Sequence, residues 1–123
     1  MGSTYTVILD DGEDIFVGLE TFTKENNISY AFLVSGKGAI KDFDIISHGQ
    51  RGTVEKINYK REFEVNALSG KIELKGQEVR VKMNALISSS GFTPISGEIL
   101  NGKAAGSLQI TIKSVDMKKM IEA

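Results

Sequence analysis

The sequence predicts an α+β domain in which one main helix packs on a largely antiparallel β-sheet. Apolar residues recur at helical spacing in one substantial stretch, residues 14–26. Most of the later chain alternates apolar and polar residues, the period of a half-buried strand, and glycine-rich turns interrupt it. One strand, one helix and then roughly seven strands joined by short turns is typical of an antiparallel α+β domain.

The helix is predicted from a stripe in which Ile15, Phe16, Leu19 and Phe22 share one face. Acidic residues cluster just before this stripe, where they suit the positive end of the helix dipole. Residues 4–9 alternate and are predicted to form the first strand. The helix should therefore follow that strand after a short acidic turn.

Later strands are predicted at residues 28–35, 39–46, 53–59, 62–69 with 70–74, 79–86, 95–100 and 107–115. Residues 36–38 and the pair Asn101-Gly102 are interpreted as breaks between strands, and Gly76-Gln77 as a two-residue hairpin turn. Residues 116–123 are predicted to be a tail. Because one helix covers only part of such a sheet, self-association is the simplest way to cover the rest.

Composition excludes several classes of site. The length of 123 residues suits a single domain over residues 1–123. The absence of cysteine excludes disulfides and cysteine ligands, and the single histidine, His48, excludes a His-rich zinc site within one chain.

A net charge of −1 argues against DNA contact, since DNA-binding domains usually carry a basic excess. No run approaches the ~20 apolar residues of a membrane span, so we expect a cytoplasmic protein without a membrane partner.

Two short patterns resemble functional motifs but lack residues that those motifs need. Residues 97–104 nearly match a P-loop, but Ala104 replaces the hydroxyl residue and a strand is predicted to follow. His48 lies in a glycine-punctuated polar loop with no nucleophile motif to accompany it, so it is kept only as a candidate accessory residue. We assign no catalytic residue, cofactor or metal, and the sequence leaves enzymatic activity open while favouring none.

The most informative stretch is residues 63–72, which read Phe-Glu-Val-Asn-Ala-Leu-Ser-Gly-Lys-Ile. Through Phe63, Glu64, Leu68, Ser69 and Gly70 it strongly resembles the signature of the PPC (plant- and prokaryote-conserved) domain, and the resemblance extends over residues 9–40, 81–86 and 95–100. It implies one antiparallel sheet with a helix, a domain core of about residues 4–115, and assembly as a homotrimer. Plant members carry this domain after a DNA-binding AT-hook, whose Arg-Gly-Arg-Pro core is absent here.

The chain departs from the resemblance at three positions. Many prokaryotic relatives have His-x-His where this chain has Lys82-Met83-Asn84, and a third histidine where it has Glu98. Residues two apart on a strand share a face at about 6.5–7 Å, but protonated lysine is no ligand and asparagine is a poor one for transition metals. The resemblance thus implies a lost metal site. Either a Lys82–Glu98 ion pair beside Asn84 takes its place, or the three are unrelated solvent-facing residues.

Two functions remain open. The first is a non-enzymatic homotrimeric PPC-domain protein that acts as a binding or assembly module, with DNA as a candidate ligand by family association. The second is a protein that binds a small molecule or anion, with enzyme-like chemistry available, in the cleft around Lys82, Asn84 and Glu98.

Overall fold

Six strands and one helix form the described part of the computed structural model, residues 2–48 and 54–115. In chain order they are β1 (Thr4–Leu9), α1 (Ile15–Glu25), β2 (Tyr30–His48), β3 (Val54–Tyr59), β4 (Phe63–Lys75), β5 (Glu78–Ser88) and β6 (Ile95–Ser114). Every paired strand runs antiparallel to its neighbour. The predicted α+β class and antiparallel sheet are confirmed.

The sheet closes on itself. Its strand order is β1-β6-β5-β4-β2-β3, and β6 pairs with β2 as well. Four strands, β6, β5, β4 and β2, therefore form a closed sheet, and β1 and β3 remain as its two edge strands. The long strands β2 and β6 make this possible, because their two halves pair with different neighbours.

Two predicted breaks are wrong. Residues 36–38 lie inside β2, and Asn101-Gly102 lies inside β6, so each pair of predicted strands is one long strand. The register between β2 and β6 shifts beside these positions, at 33/35, 37/39, 41/44 and 44/45. The backbone of Gly38 has φ +129° and packs on the Ser107 carbonyl, a conformation that glycine permits. The glycines bend these strands without ending them.

The remaining elements follow the prediction closely. β1 has the predicted bounds, and α1 begins one residue after the predicted start. Asp14 caps the helix, because its Oδ1 accepts a hydrogen bond of 3.0 Å from the backbone N–H of Val17. The predicted hairpin at Gly76-Gln77 joins β4 to β5, whose flanking residues Lys75 and Glu78 are paired.

The core lies inside the closed sheet and beneath α1. Ile15, Leu19 and Thr23 form the buried face of the helix, and the Thr23 hydroxyl donates a 2.7 Å hydrogen bond to the Leu19 carbonyl. Phe16 and Phe22 pack at its margin. The largest fully buried side chains of the strands are Phe43, Phe63, Ile45, Ile72, Met83, Ile87, Ile99, Leu108, Ile110 and Ile112.

Two predictions fall outside this description. The predicted tail, residues 116–123, and the loop residues 49–53 after His48 lie outside the described residues. His48 itself ends β2, and its side chain is likewise outside them. Among the described residues, no helix has the length and apolar character needed to span a membrane.

Candidate binding face on the outer side of the sheet

The alternate residues that point away from the core form a continuous outer face on β2, β4, β5 and β6. Strand register arranges them in cross-strand rows, among them Ala67–Leu86–Ser96, Ser69–Asn84–Glu98 and Lys113–Phe32–Lys71–Lys82. Residues directly opposite each other in antiparallel strands have Cβ atoms about 4.5–5.5 Å apart. The first row is largely apolar, the second polar, and the last, which we call the basic row, is dominated by lysine.

The structure brings the three predicted site residues together. Lys82, Asn84 and Glu98 line one open cavity of about 520 Å³. Ser69 and Ser96 add hydroxyl groups to its wall, and apolar side chains from the first row complete it. The cavity therefore presents a cation, a carboxylate, an amide and two hydroxyls above an apolar surface.

Lys82 and Glu98 share the face, but their side chains do not form the expected ion pair. Within residues 2–48 and 54–115, no contact of 4.0 Å or less joins the two charges. Glu98 lies opposite Asn84 and is a diagonal neighbour of Lys82. Lys82 lies instead directly opposite Lys71. The prediction of a lost metal site stays a prediction.

The signature residues divide between core and site. Phe63 and Leu68 are buried, whereas Glu64 and Ser69 are exposed and Ser69 lines the cavity. Gly70 has φ +149°, and a Cβ placed there would overlap the backbone carbonyl oxygen of Lys82. The signature therefore fixes how closely β4 approaches β5 beneath the cavity.

The basic row was missed by sequence reasoning. Phe32 lies between Lys113 and Lys71, with Lys82 next beyond, and its side chain is 45% exposed. Lys71 contacts Glu73 at 3.3 Å. Lys71 and Lys82 face each other across the β4–β5 hairpin, but Phe32 and Lys113 come from strands far apart in sequence, so only the register of the closed sheet shows that they are neighbours. An exposed aromatic ring among cations is a common arrangement on surfaces that bind nucleic acid.

A second charged cluster is already engaged in structure. Lys60 donates a 2.9 Å hydrogen bond to Asp42, and Lys103 contacts the other carboxylate oxygen at 3.7 Å. The hydrogen bond from Lys60 holds the pKa of Asp42 below its usual value, and the same bond raises the pKa of Lys60. Arg61 stacks on the ring of Phe92 at 4.4 Å. Lys60 and Arg61 are thus engaged in local contacts.

A protein-family model matches nearly the whole chain. The Plants and Prokaryotes Conserved (PCC) domain matches residues 1–116. The chain belongs to this family, which is the PPC family that the signature suggested. A search of curated proteins gave no match.

Solved structures share the fold. A plant- and prokaryote-conserved (PPC) protein from Pyrococcus horikoshii is 22% identical with a TM-score of 0.78, over 94% of this chain and 82% of that one. A metal-containing protein from Archaeoglobus fulgidus is 20% identical with a TM-score of 0.73, over 91% and 79%. A "putative DNA binding protein" from Bacteroides thetaiotaomicron is 19% identical with a TM-score of 0.78, over 94% and 81%. At these identities the likeness establishes the fold.

Proposed function

We propose that this chain is a non-enzymatic PPC-domain protein that assembles as a cytoplasmic homotrimer and binds DNA through the assembled outer faces. The observation that carries the proposal is the outer face itself, which combines exposed apolar side chains with the basic row. Exposed apolar surface on a domain of this size marks an interaction site. The homotrimer is the assembly that the family resemblance implies.

Self-association would use the apolar part of the outer face. Leu86 is 39% exposed at the centre of the apolar row, with Ala67 opposite it on β4. Val34 of β2 is also an exposed large apolar residue. Burial of such side chains is worth about 25 cal/mol per Å² of apolar surface. A partner subunit would also cover the mouth of the cavity beside Asn84.

DNA contact would use the basic row, which borders this apolar part. Assembly would bring three copies of the row into one particle, so lysines too few to bind phosphates singly would act together. Lysine contacts to phosphates release counterions and make affinity fall with salt. The exposed ring of Phe32 among these lysines is suited to stacking or apolar contact with DNA. Two structural neighbours are named "putative DNA-binding protein", which favours the same ligand.

Fluorescence anisotropy of an A/T-rich duplex, with particle mass measured in parallel, tests both parts. We expect salt-dependent binding that Lys82→Gln weakens and that Lys24→Gln, a matched lysine change on α1, leaves unchanged. Leu86→Glu should lower the particle mass, whereas Val54→Glu on edge strand β3 should not. Equal binding by both lysine variants, or none at low salt, would remove DNA as a direct ligand of this face.

A second candidate function is binding of a small anion in the cavity. It is favoured by Lys82, which makes no ion pair within the described ranges and lies beside Asn84 and the hydroxyls of Ser69 and Ser96. Calorimetric titration with inorganic phosphate and with acetate tests it. Heat of binding that disappears in Lys82→Gln and persists in Lys24→Gln would favour this function over DNA, provided the duplex does not bind.

A further inference from the structure

A second groove lies between β1 and α1. It has a volume of about 320 Å³ and is lined by Val7, Ile8 and Leu9 together with helix residues that include Val17 and Phe22. Consecutive strand residues point to opposite faces of a sheet. A groove that touches three of them in succession must therefore run along the backbone edge of the strand.

That edge is open to a partner. β1 pairs only with β6 on its other side, and the backbone hydrogen bonds found in residues 2–48 and 54–115 leave its groove side unoccupied. Every second residue of an edge strand directs its N–H and C=O groups away from the sheet. These groups form a template for an added strand.

The rim of the groove is acidic. Glu13, Asp14 and Glu25 line it, and no lysine or arginine of residues 2–48 and 54–115 does. Glu13 and Asp14 each use one carboxylate oxygen to accept a backbone hydrogen bond. Glu25 is the last residue of α1, where the helix dipole disfavours a carboxylate. Its carboxylate suits a cation brought by a partner.

The floor of the groove offers apolar contacts. Ile8 and Val17 are 59% and 58% exposed, among the most exposed large apolar side chains in the described residues. They lie on the strand and the helix that form the two walls. An occupant therefore needs apolar side chains on the sheet face of Ile8 and basic ones on the helix side, where the rim lies.

We propose that this groove binds an extended cationic segment of a partner protein, which adds a strand to the open edge of β1. Backbone hydrogen bonds to β1 hold the segment, as in other cases of strand addition. Its alternate side chains point to opposite faces of the sheet, so apolar residues on one face pack on Ile8 while lysines or arginines on the other face lie along the helix and reach the acidic rim.

The test uses a fluorescein-labelled peptide of alternating lysine and valine, as long as β1, titrated with the full chain. We expect saturable binding that weakens with salt, because the rim contacts are exposed. The same peptide with glutamate in place of lysine should not bind. A version N-methylated on alternate backbone amides should also fail, because it cannot complete the strand ladder.

Two matched protein variants locate the site. Val17→Lys places a cation in the groove at an exposed helix position where lysine is a good helix former, and should weaken binding at least about tenfold. Val54→Lys, on the other edge strand, changes an equally exposed valine and should leave affinity unchanged. Absence of binding at low salt, equal binding by Val17→Lys, or binding of the glutamate peptide overturns the proposal. A lower particle mass in Val17→Lys alone would also overturn it, because the groove would then hold a second copy.

Discussion

Replacement of Gly70 by alanine tests how the signature supports the candidate binding face. The backbone of Gly70 has φ +149°, a region that only glycine adopts readily. A Cβ there would overlap the carbonyl oxygen of Lys82 and lie 3.1 Å from Leu33 Cδ1. Gly76, in the β4–β5 turn, separates the backbone strain from the steric overlap. It has φ +64° but nothing within 4 Å of its Cβ position, so alanine there would be strained without overlapping another atom.

The expected loss in the free energy of unfolding is the sum of the backbone strain and the steric overlap. Backbone strain of this kind costs about 1–3 kcal/mol, and forcing an extra methyl group into packed structure costs about 1–3 kcal/mol more. Gly70→Ala should therefore lower the free energy of unfolding by roughly 2–6 kcal/mol. Gly76→Ala carries strain alone and should cost about 1–2 kcal/mol.

Urea unfolding of both variants at one fixed protein concentration measures the difference, since self-association makes stability depend on concentration. A loss in Gly70→Ala no larger than that in Gly76→Ala would refute the close approach of β4 to the Lys82 carbonyl. A folded Gly70→Ala protein should also bind less ligand at the cavity, because relief of the overlap moves the backbone of Lys82.

Three further predictions concern the core, the helix and pH. Phe63→Ala removes a fully buried ring that packs on Phe43 and should cost about 3–5 kcal/mol in urea unfolding, whereas a loss under about 1 kcal/mol would contradict its burial. Asp14→Ala removes the cap of α1 and should cost about 0.5–2 kcal/mol, with Asp14→Asn retaining most of the stability. The pKa of Asp42 lies below its usual 3.8 and that of Lys60 lies above its usual 10.5. The ion pair between them should therefore stabilise the fold fully at pH values between 3.8 and 10.5. This stabilisation should fall as pH drops through the lowered pKa of Asp42 or rises through the raised pKa of Lys60, and a weaker acid dependence in Asp42→Asn would support the assignment.

Local patterns were sufficient for part of the fold. Alternation gave β1 and the strand over residues 79–86, and the pair Gly76-Gln77 gave the hairpin between β4 and β5. These depend on neighbours in sequence, where the periods of helix and strand are visible. The glycines of β2 and β6 were misinterpreted because a glycine that bends a strand and one that ends it look alike without the partner strand.

The candidate binding face also has residues that local sequence predicts and residues that it does not. The grouping of Lys82 and Asn84 followed from their spacing on one strand, and the resemblance brought in Glu98. The position of Lys71 opposite Lys82 follows from the predicted hairpin at Gly76-Gln77, whereas that of Phe32 opposite Lys71 depends on the pairing of β2 with β4. Register in a closed sheet is fixed by pairings between segments far apart in the chain, which one sequence does not display.

The pairing of β6 has a consequence for synthesis of the chain on the ribosome. β6 is the last strand described, yet it forms ladders with β1, β2 and β5. Until it emerges, β1 has no strand partner and the sheet cannot close, so the nascent domain exposes apolar surface throughout most of its translation. Folding dominated by such distant pairings is slow. We therefore expect early interception by chaperones, and a chain halted before residue 95 should aggregate.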